Sequence, residues 1–324
     1  MRLRRDVLLA SCALALTTVS LSAQAQNYPN GPIRLVTPYD PGSTVDITSR
    51  MVAEGLSKRL GKPVIVENRP GGQGAVGMNA LLSAPANGYT LMTDTPASAI
   101  NPSLYKSHSS RYNASTDLAP VAQLMSLPFA IAVTPKLPMK NLADLVALAK
   151  SKPGELNVAV AGTSTRLAGE LFSMQAGVKF NPVNYKGAMS AMQAVIKGET
   201  DVVFLDAANL APYITSGQMR GLLITGDQRW PALADVPTAK ESGYPNYDVS
   251  TWFGMFAKAG TPQPIIDQLN EAIREVMVSP ALEKYLNQRG AQPSKRSANE
   301  FKEFFHQEIN LWRDVIVKAN VKVE

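Results

Sequence analysis

The sequence predicts an α/β fold divided into two lobes, and three observations carry that expectation. Short apolar runs alternate with helical patterns along the chain. The stretch that follows an N-terminal leader, residues 26–324, is long enough for two domains. That stretch contains no cysteine, so its fold must rest on core packing without disulfides.

The leader comes first. Arg2, Arg4 and Arg5 make a basic start, an apolar run covers 7–21, and Ala23-Gln24-Ala25 supplies the small residues of a cleavage site. The pattern predicts a secretory signal peptide over 1–25, cut after Ala25. The run is shorter than the roughly 20 apolar residues that a membrane span requires. Leu9-Ala10-Ser11-Cys12 has the form of a lipoprotein box, but it would leave only 7–11 as the apolar region, so it is the weaker reading. Arg4-Arg5 also fits a twin-arginine signal, which leaves the export route open.

The first structural unit is a strand over 33–37, a Pro/Gly turn and a helix over 43–60. Val52, Leu56 and Leu60 fall on one face of that helix, and Gly61 ends it. Strands follow over 63–67 and 89–93, with consecutive apolar residues that suggest burial on both faces. A second lobe opens near Pro128 with a strand over 129–133, followed by a helix from Asn141 to Lys150 and a strand over 156–161. Helices over 165–176 and 188–197 and strands over 202–205 and 221–225 complete it. The chain returns to the first lobe near Val249, giving lobes of 26–126 plus 249–324, and 127–248. At the end, Ser297 and Glu300 form a capping box. Phe301, Phe305, Trp312 and Ile316 make a stripe expected to pack on lobe one rather than hold a ligand.

The formal net charge of +6 falls to +4 when the leader's three arginines and Asp6 are removed. That mild balance suits anionic solutes. It is too diffuse for nucleic acid, since basic runs such as Lys295-Arg296 are only two residues long.

Two strand-to-helix turns share one design. Tyr39, Asp40, Pro41, Gly42, Ser43, Thr44 and Asp46 occupy the first; Gly162, Thr163, Ser164, Thr165 and Arg166 occupy the second. In each, glycine allows close backbone approach and hydroxyl residues sit at a helix start, where unpaired N–H groups and the helix dipole favour an anion. Read plainly, Ser43 and Ser164 are helix caps, with Asp46 closing a capping box on Ser43. Arg166 near a helix start opposes the dipole, so it is either a ligand-carboxylate partner or a solvated side chain.

Other motifs carry less. Gly72-Gln73-Gly74-Ala75-Val76-Gly77 matches the dinucleotide fingerprint, with Asp94 near the expected distance, but Arg69-Pro70-Gly71 separates it from the strand. Ser103 and Lys106 match a penicillin-binding nucleophile motif that lacks its companions. Gly162-Thr163-Ser164 begins a nucleophile elbow that Arg166 breaks. The exported chain retains only His108 and His306, neither near a glycine-hydroxyl turn in sequence. No catalytic residue, metal or cofactor is therefore expected, although an exported serine hydrolase using Ser164 or Ser103 is the rival reading.

Several segments together resemble the Bug family, the tricarboxylate-binding receptors of tripartite tricarboxylate transporters. They are YPNGPIRLVTPYDPGSTVDITSR, VENRPGGQGAVG, NGYTLM, AINPSLY, NYKGAMSAM and LADVPTAKESGYPNYDVSTWFGMFAKAGTP. The resemblance spans essentially all of the sequence after the leader. It implies a two-lobed, periplasmic binding protein-like (type II) α/β fold with mixed sheets and a hinge, located in the periplasm. It also implies a receptor that closes over a small organic acid and presents itself transiently to membrane transporter subunits, and a monomer fits such hinge closure; a sensory receptor without transport would need the same cleft. Carried over by position, the ligand contacts are Tyr39, Pro41, Gly42, Ser43, Thr44, Asp46, Thr95, Ser98 and Gly162 to Thr165, with Lys186 and Asp206 close by. Ser43 stands where the family usually has a second glycine, the 159–165 loop is about two residues short, and Arg166 replaces the usual histidine. The solute is therefore not identified by the resemblance.

Overall fold

The computed structural model describes residues 28–321 apart from 110 and 227; the expected leader, with Cys12 and the cleavage site after Ala25, lies outside the described residues. Strand β1 (Ile33–Thr37) leads into helix α1 (Thr44–Leu60). The Ser43 side chain accepts from the Asp46 N–H at the start of α1, and Gly61, at φ 67°, closes its other end. Next come β2 (Val64–Asn68), α2 (Ala75–Leu82), β3 (Thr90–Asp94) and α3 (Ala97–Leu104), then two single-turn helices, α4 (Lys106–Ser109) and α5 (Ala114–Asp117). A long strand, β4 (Leu118–Val133), crosses into the second half of the molecule.

There α6 (Leu142–Ser151), capped by a complete Asn141–Asp144 box, precedes β5 (Asn157–Val160) and α7 (Thr163–Ala176). Strand β6 (Asn181–Asn184), α8 (Ala188–Lys197), β7 (Val202–Asp206), α9 (Ala207–Thr215) and β8 (Arg220–Ile224) follow. The chain comes back through β9 (Ser250–Lys258), α10 (Gln263–Met277), α11 (Pro280–Asn287), β10 (Gln292–Pro293) and α12 (Ala298–Lys318). The box of Ser297 and Glu300 that starts α12 is complete on both sides.

Ten strands form one continuous sheet in the order β2-β1-β3-β9-β4-β7-β5-β6, with β8 and β10 also on β4. Strands β1, β2 and β3 are parallel, as are β5, β6 and β7. Strand β4 changes partners midway: Pro128 pairs with Ser250 of β9, and the next residue, Phe129, pairs with Asp206 of β7. Beside that point the Thr225 hydroxyl receives the Phe129 N–H at 2.8 Å and donates to the Val249 carbonyl. Both chain crossings between the halves are thus tied at one place.

Two local expectations are corrected. The strand expected at 129–133 is the end of a strand that begins at Leu118. Pro120 and Pro128 lie within it, Pro120 at a register shift and Pro128 at the partner change, where a missing N–H is tolerated. Strand β2 is not buried on both faces: it lies at a sheet edge, and Ile65 is 57% exposed.

One core layer packs α1, α10 and α11 against the first half through Val52, Leu56, Leu269 and Ile273. Another packs α8 and α9 against the second half through Val195, Leu205 and Leu210. The largest joins the halves, because Phe301, Phe305 and Trp312 of α12 share one apolar cluster with Met92 and with Phe172 and Phe204. The aromatic stripe therefore packs against α3 and β4 and also reaches α7.

Candidate functional site: two facing strand edges

In the first half, β1 and β3 end side by side, so their following loops share one edge of the sheet. Gly42 in the first loop has φ 83°, a left-handed conformation that glycine adopts without cost. The Tyr39 hydroxyl donates to Asp94 Oδ1 at 2.9 Å and lies 2.6 Å from Thr95 Oγ1, which joins the two loops. The Thr95 N–H also donates to Asp94 Oδ1 at 2.8 Å. Burial pushes the Asp94 carboxyl up to about 6 against the pull of those two donors, and burial with the nearby carboxylate raises the Tyr39 hydroxyl. The Ser98 hydroxyl donates to the Thr95 carbonyl at 3.0 Å and holds the turn.

Asp46 holds the first loop from within. One carboxylate oxygen accepts from the Gly42 N–H at 2.9 Å and Arg50 Nε at 3.1 Å, and the other accepts from Asn68 Nδ2 at 2.8 Å and meets Arg50 Nη2 at 3.0 Å. Its charge is committed to the loop, so the expected reciprocal bond to Ser43 is replaced by one to Gly42. Pro41, Gly42 and Thr44 stay exposed on this edge, and Ser43 is half-buried.

In the second half, β5, β6 and β7 run parallel and end on one edge as well. Gly162, not Ser164, caps α7, at φ 131° and with open space where a side chain would stand. Thr165 makes the fixing bonds: its hydroxyl receives the Ala161 N–H at 2.9 Å and donates to the Gly162 carbonyl at 2.8 Å. The reading of Ser164 as cap is thereby corrected, since Ser164 is exposed in the first turn. The opening N–H groups of such a helix have no intrahelical acceptor and point toward the edge. Arg166 has a buried Nε with no hydrogen-bond partner among the described residues and approaches Glu170 at 4.0 Å. Lys186 is exposed in the turn after β6, and Asp206 ends β7 as the residue before α9.

The strand registers relate the two edges. Asp94 pairs with Gly254 of β9, and four residues earlier on that strand Ser250 pairs with Pro128, so the first edge lies about 13 Å from the crossing at the usual strand rise. Asp206 pairs with Phe129, immediately beyond it. Strand β3 points toward the crossing from one half and β7 from the other, so the carboxyl ends of both parallel sets flank the same junction. Such ends are where open α/β sheets bind ligands. Sequence reasoning did not single out Asp94 for this edge; the available signal was an acidic residue closing a strand with Leu91 and Met92 at its centre.

The motifs set aside have structural occupations. Gly77 lets α2 approach the first loop, since a Cβ there would lie 2.7 Å from Pro38 Cβ. His108 Nε2 is 3.0 Å from the Gly72 carbonyl. Among the described residues no group of three or more His, Cys, Asp or Glu could hold a metal, and no helix is long and apolar enough to cross a membrane.

The family model described as the tripartite tricarboxylate transporter family receptor matches residues 48–321. Protein BugT of Bordetella pertussis is 32% identical over 324 residues, covering 98% of each chain. A TctC solute binding protein from Polaromonas superposes with a TM-score of 0.81 at 26% identity, covering 90% of this chain and 99% of that one. Rpa4515 of R. palustris, solved with adipate, gives 0.72 at 30% identity, with 91% and 99% covered.

Proposed function

The chain belongs to the tripartite tricarboxylate transporter receptor family, and on that premise we propose that its two facing strand edges form the solute site. It is a periplasmic solute-binding receptor for a small organic carboxylate, the class to which the adipate of its relative also belongs. The observation that carries the site is the meeting of both sets of parallel-strand ends at the β4 crossing. Open N–H groups of α1 and α7 receive the solute's carboxylates, with Ser164 and the Arg166 guanidinium adding donors, while Thr95, its hydrogen engaged by the Tyr39 hydroxyl, shapes the edge. Asp46 and Ser98 act one step back, holding the loops that do the binding.

Residues 26–126 with 249–324, and residues 127–248, are the two lobes of this reading, and the crossing is their hinge. A solute that touches both lobes at once favours the closed arrangement by its differential contacts. The closed monomer is then the form offered to the membrane subunits. The chain reaches the periplasm by cleavage after Ala25, which an intact mass of the secreted protein checks. It carries no catalytic serine, so a serine-directed phosphonate leaves Ser103 and Ser164 unlabelled.

A thermal-shift screen of the secreted chain against mono-, di- and tricarboxylates tests the function. An acid at 100 times its dissociation constant adds about 2.7 kcal/mol of stability and raises the melting temperature. If no carboxylate in the panel moves the transition, the receptor reading is wrong.

A further inference from the structure

Asp206 is a carboxyl group at an edge proposed to bind carboxylates, which is a contradiction that chemistry must resolve. We propose that Asp206 enters the site protonated and donates its hydrogen to a carboxylate oxygen of the solute, so that capture of the anion takes up a proton. This rests on the receptor reading and assigns one of its contacts.

Position is the first argument. Asp206 ends β7 opposite Phe129, beside the strand whose end opens into the Gly162 loop, at the junction of both halves. The Thr251 hydroxyl on β9 acts on its carboxyl, and Asn209 Nδ2 lies 3.5 Å from Oδ2. The other oxygen, Oδ1, is buried without a partner among the described residues. A buried polar atom left unsatisfied is costly, so a polar group of the solute is its natural complement.

Charge is the second argument. Of the elements packed on β7, strands β4 and β5 carry no ionisable side chain, and α9 carries only Tyr213. Helix α8 carries Lys197 at its distant C-terminal end, and α7 carries Arg166 and Glu170, which approach each other. Lys186 stands on the same edge but is exposed, in the turn after β6, two strands away. Burial consequently dominates, raising the carboxyl's affinity for its proton against the weaker pull of Thr251. An ionised Asp206 would repel the solute, whereas the neutral acid offers an O–H donor. An incoming anion favours that neutral form further. Linkage then requires affinity to fall as pH rises above the free group's titration, by at most about tenfold per pH unit.

The test uses the tightest binder among succinate, malate and adipate, titrated calorimetrically from about pH 5 to about pH 8 in buffers of differing ionisation enthalpy, with affinity and proton exchange referred to the fully ionised solute. The wild-type chain should lose affinity with rising pH and take up a proton fraction that grows toward one per solute. Asp206→Asn, whose amide still donates, should bind with a flat pH profile and no uptake. Asp206→Leu should bind more weakly by about tenfold at the acid end of that range. A pH-independent wild-type affinity without proton uptake overturns the proposal, and requires no variant to fold. A slope that survives in Asp206→Asn overturns it equally. If none of the three acids nor any other carboxylate binds at any pH, the receptor reading itself fails, an outcome distinct from pH-independent binding.

Discussion

Asp94→Asn isolates the electrostatic cost of building the first strand edge. Asp94 is 4% exposed, and burial lifts its carboxyl from 3.8 to about 6. Below about pH 3.8 the folded and unfolded chains both hold this proton, so the group costs nothing. As pH rises, the unfolded chain releases the proton first while the folded chain retains it to about 6, and stability falls across that window. The loss is roughly 3 kcal/mol at about 1.4 kcal/mol per unit, and it is complete above the folded value. Asparagine keeps the Oδ1 acceptor that the Thr95 N–H and Tyr39 hydroxyl use, but cannot ionise. The assay is urea unfolding of both chains at several pH values from about 4 to about 8, followed by tryptophan fluorescence. Trp252 and Trp312 both donate to Glu308 in the core, at 2.8 and 3.0 Å, and report its loss. Glu308 and Asp206 are also raised by burial, but they are common to both chains and cancel in the difference. The variant should gain about 3 kcal/mol on the wild type between the acid and neutral limits. Stability curves that run parallel at every pH would refute the reasoning, because Asp94 would then titrate as an ordinary carboxylate.

Three further outcomes follow from the same geometry. Asp46→Ala leaves the Gly42 N–H without its acceptor and removes one acceptor each from Asn68 and Arg50; it should cost about 2 kcal/mol in urea unfolding and weaken solute binding by freeing the loop. Arg166→Ala should weaken carboxylate binding by about 2 kcal/mol in calorimetry, and an unchanged affinity would remove Arg166 from the site. Gly290→Ala places a Cβ 2.4 Å from Trp230 Cε2 at a residue with φ +62°, so about 2 kcal/mol of stability should be lost. Adding Trp230→Leu should restore the part due to the clash, as read from melting temperatures.

Helix boundaries were legible because their signals are local. Ser43 and Gly61 end α1, Asn141 and Asp144 start α6, and Ser297 and Glu300 start α12, each through bonds spanning only a few residues. The aromatic stripe of α12 was equally plain from its spacing, although its reach to α7 was not. Misreadings arose where a partner lies far along the chain. Strand β4 was cut short because its first stretch pairs with a strand more than a hundred residues later, and two prolines masked it. Ser164 and Thr165 are interchangeable as written letters, and only the folded turn assigns the fixing bonds to Thr165.

The amino-acid order alone determined the alternation of strands and helices, the two glycine-hydroxyl turns and the family, because each depends on near neighbours or on a long run of shared residues. Tertiary structure decided which turn ends meet at the β4 crossing and which carboxyl groups lose their water there. Asp46, Asp94 and Asp206 are the same residue type in the sequence. Four bonds hold the first ionised, and burial holds back ionisation of the other two. Burial and pairing are properties of chain segments brought together from a distance, so no local pattern contains them.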